Sequence, residues 1–186
     1  MPKIYIDQGH NPDPPNTGAE GNGLREQDIT YEVGRRLAAL LRRSGNYEVR
    51  LSRPSADTQL GTSNASSLAA RVRDANSWGA DYFISLHNNA ADQASATGTE
   101  AFVYGQGSPA FALAEDIVEG VSGETGLFNR GVFARPSLYV LRRTAMPAVL
   151  VELGFITNPR DARLMNEQPA LFARGVYEGI RRYTGV

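Results

Sequence analysis

At the start of the chain Ile4 and Ile6 alternate with polar neighbours, and Gly9 breaks the run just before His10. This pattern predicts a short strand with a histidine at its exit. The next segment, Asn11 to Gly23, holds three prolines and three glycines and is expected to be an irregular loop. It is long for a bare connection, and loops of that length are often functional. From near Leu24, Glu26, Ile29, Val33, Leu37 and Leu40 are spaced 3, 4, 4 and 3, one stripe of a helix that ends at Ser44-Gly45-Asn46. Tyr47 to Ser52 alternates Val49 and Leu51 with polar residues and predicts a second strand.

A helix capped by Ser63 or Asn64 is expected to run to about Trp78, with Leu68, Val72 and Ala75 inward and Gly79 as its stop. Asp81 to His87 is nearly continuous in apolar character, as expected of a strand buried on both faces, and a loop from Asn88 to Ala96 should follow. Gly98 to Tyr104 predicts a fourth strand. Pro109 opens a helix carrying Phe111, Leu113, Ala114, Ile117 and Val121, closed by Gly123 or Gly126. Leu138 to Leu141 is expected as a short strand, and Ala148 to Leu153 as the most apolar, central one. Asn158-Pro159 should start a short helix. A last helix from about Pro169 to Tyr183 turns Leu171, Phe172, Val176 and Ile180 inward. Strands alternating with helices imply an α/β fold, a mainly parallel twisted sheet of about six strands with helices on both faces.

At 186 residues this reads as one domain, 1–186, with no internal repeats or low-complexity linkers. Hydrophobic content of 41% and charged content of 21% are ordinary for a globular chain. A net charge of −1 removes the global basic excess that would point to nucleic acid. With no cysteine, a disulfide framework, a thiolate metal site and a cysteine nucleophile are all excluded. Any bound metal must use His, Asp, Glu or backbone oxygen. No apolar stretch approaches the ~18 residues of a membrane span. The N-terminus lacks the charged start and long apolar run of a signal peptide. The chain is therefore expected to leave the cell by another route or to be a domain of a longer precursor.

The candidate chemistry lies where polar residues interrupt these patterns. The chain has two histidines, His10 and His87, and both end strand-like runs, where open α/β sheets place their ligand sites. Glu26 extends the core-facing helical stripe at its first turn. A carboxylate there is also favoured by the helix dipole, but the dipole does not require it to point with the apolar residues. Glu152 interrupts the most apolar strand, where a carboxylate is costly unless paired or bound to metal. It reads either as a salt-bridge partner of Arg142 or Arg143 or as a general base with a pKa raised by burial. Two imidazoles and one carboxylate leave an open coordination position, the arrangement of catalytic rather than structural zinc.

Gly9-His10, Thr17-Gly-Ala19, Glu26, Ile84-Ser-Leu-His-Asn-Asn-Ala90, Gly98-Thr-Glu100, Leu138-Tyr-Val-Leu-Arg142 and Pro147-Ala-Val-Leu-Val-Glu-Leu-Gly-Phe-Ile-Thr-Asn158 follow one another across nearly the entire chain. Together they resemble the zinc-dependent N-acetylmuramoyl-L-alanine amidases of bacterial cell-wall hydrolysis. The last block is the most specific. The resemblance implies zinc ligands at His10, Glu26 and His87, one Zn2+ per chain, and a catalytic glutamate at Glu152. The family's common Gly-His-Gly-Gly is Gly-His-Asn-Pro here, a change in loop shape rather than in the ligand.

The implied reaction is hydrolysis of the amide joining the lactyl group of N-acetylmuramic acid to L-alanine in peptidoglycan, with zinc as Lewis acid and Glu152 as proton carrier. Arg142 and Asn89 are the candidate substrate contacts. Asn89 and Glu100 also match motif positions, where the resemblance allows either substrate contact or bracing of the ligands. A zinc carboxypeptidase-like peptidase acting on stem peptides is the competing chemistry. The resemblance further implies a monomer acting at the cell wall, outside the cytoplasm. Partner-inhibited family members carry a blocking helix between the fourth strand and the region near Arg130. This chain has one ordinary helix there, so no activator is expected; a rival expectation has Glu20 reaching over the metal from the proline-rich loop.

Overall fold

The computed structural model describes all 186 residues, Met1–Val186. In chain order the elements are β1 (Lys3–Gln8), β2 (Glu20–Gly21), β3 (Leu24–Arg25), α1 (Glu26–Ser44), β4 (Glu48–Leu51), α2 (Asn64–Trp78) and β5 (Tyr82–Asn89). They continue with β6 (Thr99–Val103), α3 (Ala110–Thr125), β7 (Asn129–Ala134), α4 (Tyr139–Arg143), β8 (Ala148–Phe155), α5 (Pro159–Glu167) and α6 (Pro169–Thr184). Six strands form one sheet in the order β4-β1-β5-β8-β6-β7, and β2 and β3 form a separate two-stranded ribbon. Every pairing in the six-stranded sheet is parallel except β6 with β8. The mainly parallel sheet with β8 inside it agrees with the sequence expectation.

Helices cover both faces. On one face Ile4, Ile6, Ile84, Leu86, Val149, Val151 and Leu153 pack with Val33, Leu37 and Leu41 of α1, with α3 and with α6. On the other, Tyr5, Phe83, Ala148 and Leu150 pack with Val72 and Ala75 of α2 and with Val140 and Leu141 of α4. The two sets alternate along each strand, as the pleat demands. The second core is smaller, and towards the C-terminal ends of β1, β5 and β8 its apolar rows give way to Asp7, Ser85, His87 and Glu152. That polar end of the thinly covered face is where the site forms.

Several punctuation signals act as predicted. Gly45 and Gly79 close α1 and α2 in the left-handed conformation. The Ser63 side chain caps α2 and Asn158 caps α5. Gly126 closes α3, whose Leu113, Ile117 and Val121 are buried against α6. The two helices approach so closely that a Cβ on Gly175 would lie 2.5 Å from Val121 Cα.

Other expectations need correction. Leu138–Leu141 is not a strand: from Tyr139 the chain forms the short helix α4, which turns Val140 and Leu141 onto the sheet. The sixth strand is β7, at the sheet edge beside β6. Its sequence, Asn129-Arg-Gly-Val-Phe-Ala134, has adjacent rather than alternating apolar residues, and only pairing with β6 defines it as a strand. Glu20–Gly21 of the expected loop pairs with Leu24–Arg25, where the sequence pattern predicts the helix to begin, as the β2–β3 ribbon, so α1 begins at Glu26 itself. Strand β5 runs on to Asn89 through an irregularity after His87. No helix is long and apolar enough to cross a membrane.

Candidate metal centre

His10 leaves β1 with φ +69°, a left-handed conformation unusual for a residue with a side chain. The preceding Gly9 donates its N–H to the Leu86 carbonyl at 3.0 Å. A Cβ at Gly9 would lie 2.6 Å from the His87 ring, so glycine there lets both imidazoles share one space. The His10 carbonyl accepts from Arg71 Nη2 at 2.7 Å, which holds the turn in place.

Glu26 arrives from the other side as the first residue of α1. Its Oε2 accepts from the Ala19 N–H at 2.8 Å and its Oε1 from the Asn88 N–H at 2.9 Å. Oε1 also lies 3.2 Å from His10 Nε2 and 3.1 Å from His87 Nδ1. The three donor atoms all fall within 4.8 Å of one another. Two ligands bound tetrahedrally to one ion at 2.0–2.1 Å stand about 3.3 Å apart, so the carboxylate-to-imidazole separations match such an ion. Burial alone would raise the pKa of Glu26, but hydrogen bonds to His10 and His87 outweigh it and hold the carboxyl well below its usual range. An ionised carboxylate and two imidazoles are a donor set able to hold a divalent metal.

Glu152 is the parallel neighbour of His87 across β5 and β8, and faces Glu100 across β8 and β6. Its Oε2 is buried without a hydrogen-bond partner, so the centre has a polar atom left for a group from outside the chain. Burial, then the charges of Glu26 and Glu100, push the Glu152 carboxyl up to about 8. Arg142 and Arg143 are exposed on α4 and form no ion pair with it. Arg142 instead lines a hollow with Tyr104, Leu141, Met146 and Ala148, at the far end of β8 from Glu152. Asn89 gives its Nδ2–H to Glu100 at 2.6 Å, and Arg130 Nε reaches the other oxygen of Glu100 at 2.9 Å. Glu20, on β2, is exposed and outside the three-ligand cluster.

The bracing behind His10 escaped the sequence reading. Arg71 Nη1 meets Asp7 at 2.7 Å with both side chains buried, and also donates to the Gln8 carbonyl at 2.6 Å. Asp7 in turn accepts from Ser85 Oγ at 2.7 Å. The available signal was position: Arg71 falls on the same inward stripe of α2 as Leu68, Val72 and Ala75. Burial would raise the pKa of Asp7, but the Arg71 guanidinium and the Ser85 hydroxyl overcome it and hold the carboxyl below its usual range.

Arg71→Met should therefore destabilise the protein by about 3–5 kcal/mol at pH 7, because it leaves a buried anion unpaired. In the unaltered protein the depressed pKa contributes stability above the unfolded value near 3.9, lost as pH falls through the folded value. In the variant the bare carboxyl takes up a proton as pH falls, so the gap should narrow. Urea unfolding at pH 7 and pH 4 measures both; a gap that does not narrow at pH 4 would count against the pair.

Residues 4–182 match the family model described as Amidase_3, N-acetylmuramoyl-L-alanine amidase. The chain is 38% identical over 186 residues to the N-acetylmuramoyl-L-alanine amidase CwlM of Bacillus licheniformis, covering 98% of this chain and 68% of that one. It is similar to the catalytic domain of CwlV, an N-acetylmuramoyl-L-alanine amidase of Bacillus (Paenibacillus) polymyxa var. colistinus, with TM-score 0.88, 28% identity and coverage of 100% and 99% of the two chains. A third match, at TM-score 0.90 and 25% identity over 100% and 99% of the chains, is the CwlD amidase of Clostridioides difficile, solved in complex with the GerS lipoprotein.

Proposed function

The chain belongs to the N-acetylmuramoyl-L-alanine amidase family, and from that premise we propose that it cuts the amide between the lactyl group of N-acetylmuramic acid and L-alanine in peptidoglycan. The observation that carries this is the convergence of His10, Glu26 and His87 with Glu152 in register beside them. We assign the ligand set to one zinc ion, since two imidazoles and a carboxylate with an open position are the donors of catalytic zinc. When bound, that ion supplies Lewis-acid polarisation of the scissile carbonyl.

The chain's own groups supply the rest. Glu152 takes the proton of the attacking water on its otherwise unpartnered Oε2 and returns it to the alanine nitrogen as the amide breaks. Glu26 keeps the imidazoles in place through its contacts to Ala19 and Asn88. Asn89 acts on the site through Glu100, which it holds together with Arg130. Arg142, with no carboxylate of its own, is a contact for more distant parts of the substrate.

Residues 1–186 are proposed to work as one monomeric catalytic unit at the wall, outside the cytoplasm and without an activator. Two features support the last point. The apolar stripe of α3 is buried against α6, which leaves no spare helix between β6 and β7 to plug the cleft. Glu20 is exposed on the β2–β3 ribbon rather than among the ligands.

The isolated protein with zinc should solubilise purified peptidoglycan, and a chelator should stop it. Mass analysis of the fragments should show intact stem peptides beginning with free L-alanine and glycan bearing free lactyl groups. Shortened stem peptides still joined to muramic acid would replace this reading with the carboxypeptidase one. Activity appearing only after a second protein is added would remove the activator-free part.

A further inference from the structure

Apart from the terminal Met1 and Val186, the large apolar side chains left exposed are Tyr104, Phe128 and Phe133, at 52%, 68% and 38% exposure. All three are aromatic, and all lie on the β6–β7 edge of the sheet or just beside it. Solvated apolar residues are normally scattered over the whole surface, so exposed aromatics drawn to one edge of the sheet point to a contact surface there, with Phe128 level with Thr99 and Phe133 and Tyr104 further along. Phe133 pairs with Phe102 in the β6–β7 register, two positions along from the pair Glu100 and Gly131. Glu100 in turn faces Glu152, so the aromatic row begins about 7 Å from the catalytic row at 3.3 Å per residue. Tyr104 stands two further positions along, at the mouth of a hollow of about 350 Å³ that Arg142 also lines.

On this surface Arg130 is paired with Glu100, whereas Arg135 and Arg142 are not paired with a carboxylate. The Arg135 guanidinium lies 4.9 Å from the Phe102 ring and 5.9 Å from the Phe133 ring, and like Arg142 it has no carboxylate partner. Arg135 Nη1 donates to the Ala134 carbonyl at 3.0 Å, and a planar guanidinium lying over aromatic rings has further edge donors beyond that one.

We propose that the β6–β7 edge is a second binding surface for the glycan strand, with Phe133, Tyr104 and Arg135 holding N-acetylated sugar rings beyond the muramic acid whose amide is cut. This rests on the amidase reading. The occupant follows from continuity and charge. The polymer must extend past the cleft, and this edge leads directly away from Glu152 and Glu100. The C–H faces of pyranose rings stack on exposed aromatic rings. Arg135 and Arg142 complement the carboxylates that stem peptides and freed lactyl groups present along the same strand.

The test uses the full chain loaded with zinc and the double variant Phe133→Ala/Tyr104→Ala, both positions being exposed. Two substrates separate the cleft from the edge: purified peptidoglycan, and the monomer N-acetylmuramoyl-L-alanyl-D-isoglutamine. The double variant should lose about tenfold in kcat/KM on the polymer, the scale for removing two interface aromatics, with monomer turnover unchanged. Equal loss on both substrates, or no loss on the polymer, overturns the glycan surface while leaving the amidase reading intact. If the unaltered chain cleaves neither substrate, the amidase reading fails, and binding decides the surface. Calorimetric titration with the N-acetylglucosamine tetramer should show binding to the unaltered chain and none to the double variant. No binding to either, or capture of a partner protein through the same residues without sugar binding, overturns the proposal.

Discussion

Glu152→Gln should keep the fold and full metal occupancy while losing at least ~100-fold in turnover, the lower end of the scale for a removed general base. The substitution preserves the shape of the side chain and removes only its capacity to carry a proton. Its neighbours say why the loss should be that large. Oε2 is buried with no partner of its own, and the carboxyl is raised to about 8 by burial and then by Glu26 and Glu100. Such a group is held for chemistry rather than for stability. A second readout follows from the sign of that shift. In the metal-free protein, a folded pKa above the unfolded one contributes stability at low pH that is lost as pH rises through 8. Glu152→Gln should therefore be more thermostable than the parent when metal-free, by a larger margin at pH 9 than at pH 5. Near-normal turnover would take Glu152 out of the mechanism, and loss of the metal would make it a ligand.

His87→Ala should lose stoichiometric zinc and activity together. His87 and His10 both reach Glu26 Oε1, at 3.1 and 3.2 Å, so removing one imidazole leaves two protein donors where three converge. The loss should exceed that of Glu152→Gln, because Lewis-acid chemistry goes with the ion. His10→Ala should behave alike and also relax the left-handed turn that Arg71 holds by its carbonyl. Metal analysis after gel filtration, alongside turnover, is the measurement; full zinc occupancy in His87→Ala would overturn the ligand assignment. Circular dichroism on the same sample separates metal loss from unfolding.

Much of the centre was legible in the chain because each residue violates a local pattern. His10 and His87 end strand-like runs, Glu26 sits in an apolar stripe, and Glu152 interrupts the most apolar strand. Each is a polar residue in a place built for burial, which needs no tertiary information to notice. The resemblance then tied these four exceptions to one chemistry. The braces were less visible. Arg71 sits on an inward stripe of α2, but a long side chain there reads as easily as one that reaches back to solvent. Its partner Asp7 lies 64 residues away.

What the sequence by itself determined was the α/β class, the helix stops at Gly45 and Gly79, the helix start at Asn158, and the three donor side chains that converge, His10, Glu26 and His87. These depend on spacing and turn chemistry within a few residues. The tertiary structure alone decided that 139–143 is helical and that 129–134 is the sixth strand, since an edge strand with weak alternation exists only through its partner. It also decided that Glu152 stands level with His87 and opposite Glu100. Register between strands far apart in sequence comes from how three chain segments pack, and a slip of one position would turn the carboxylate to the other face of the sheet.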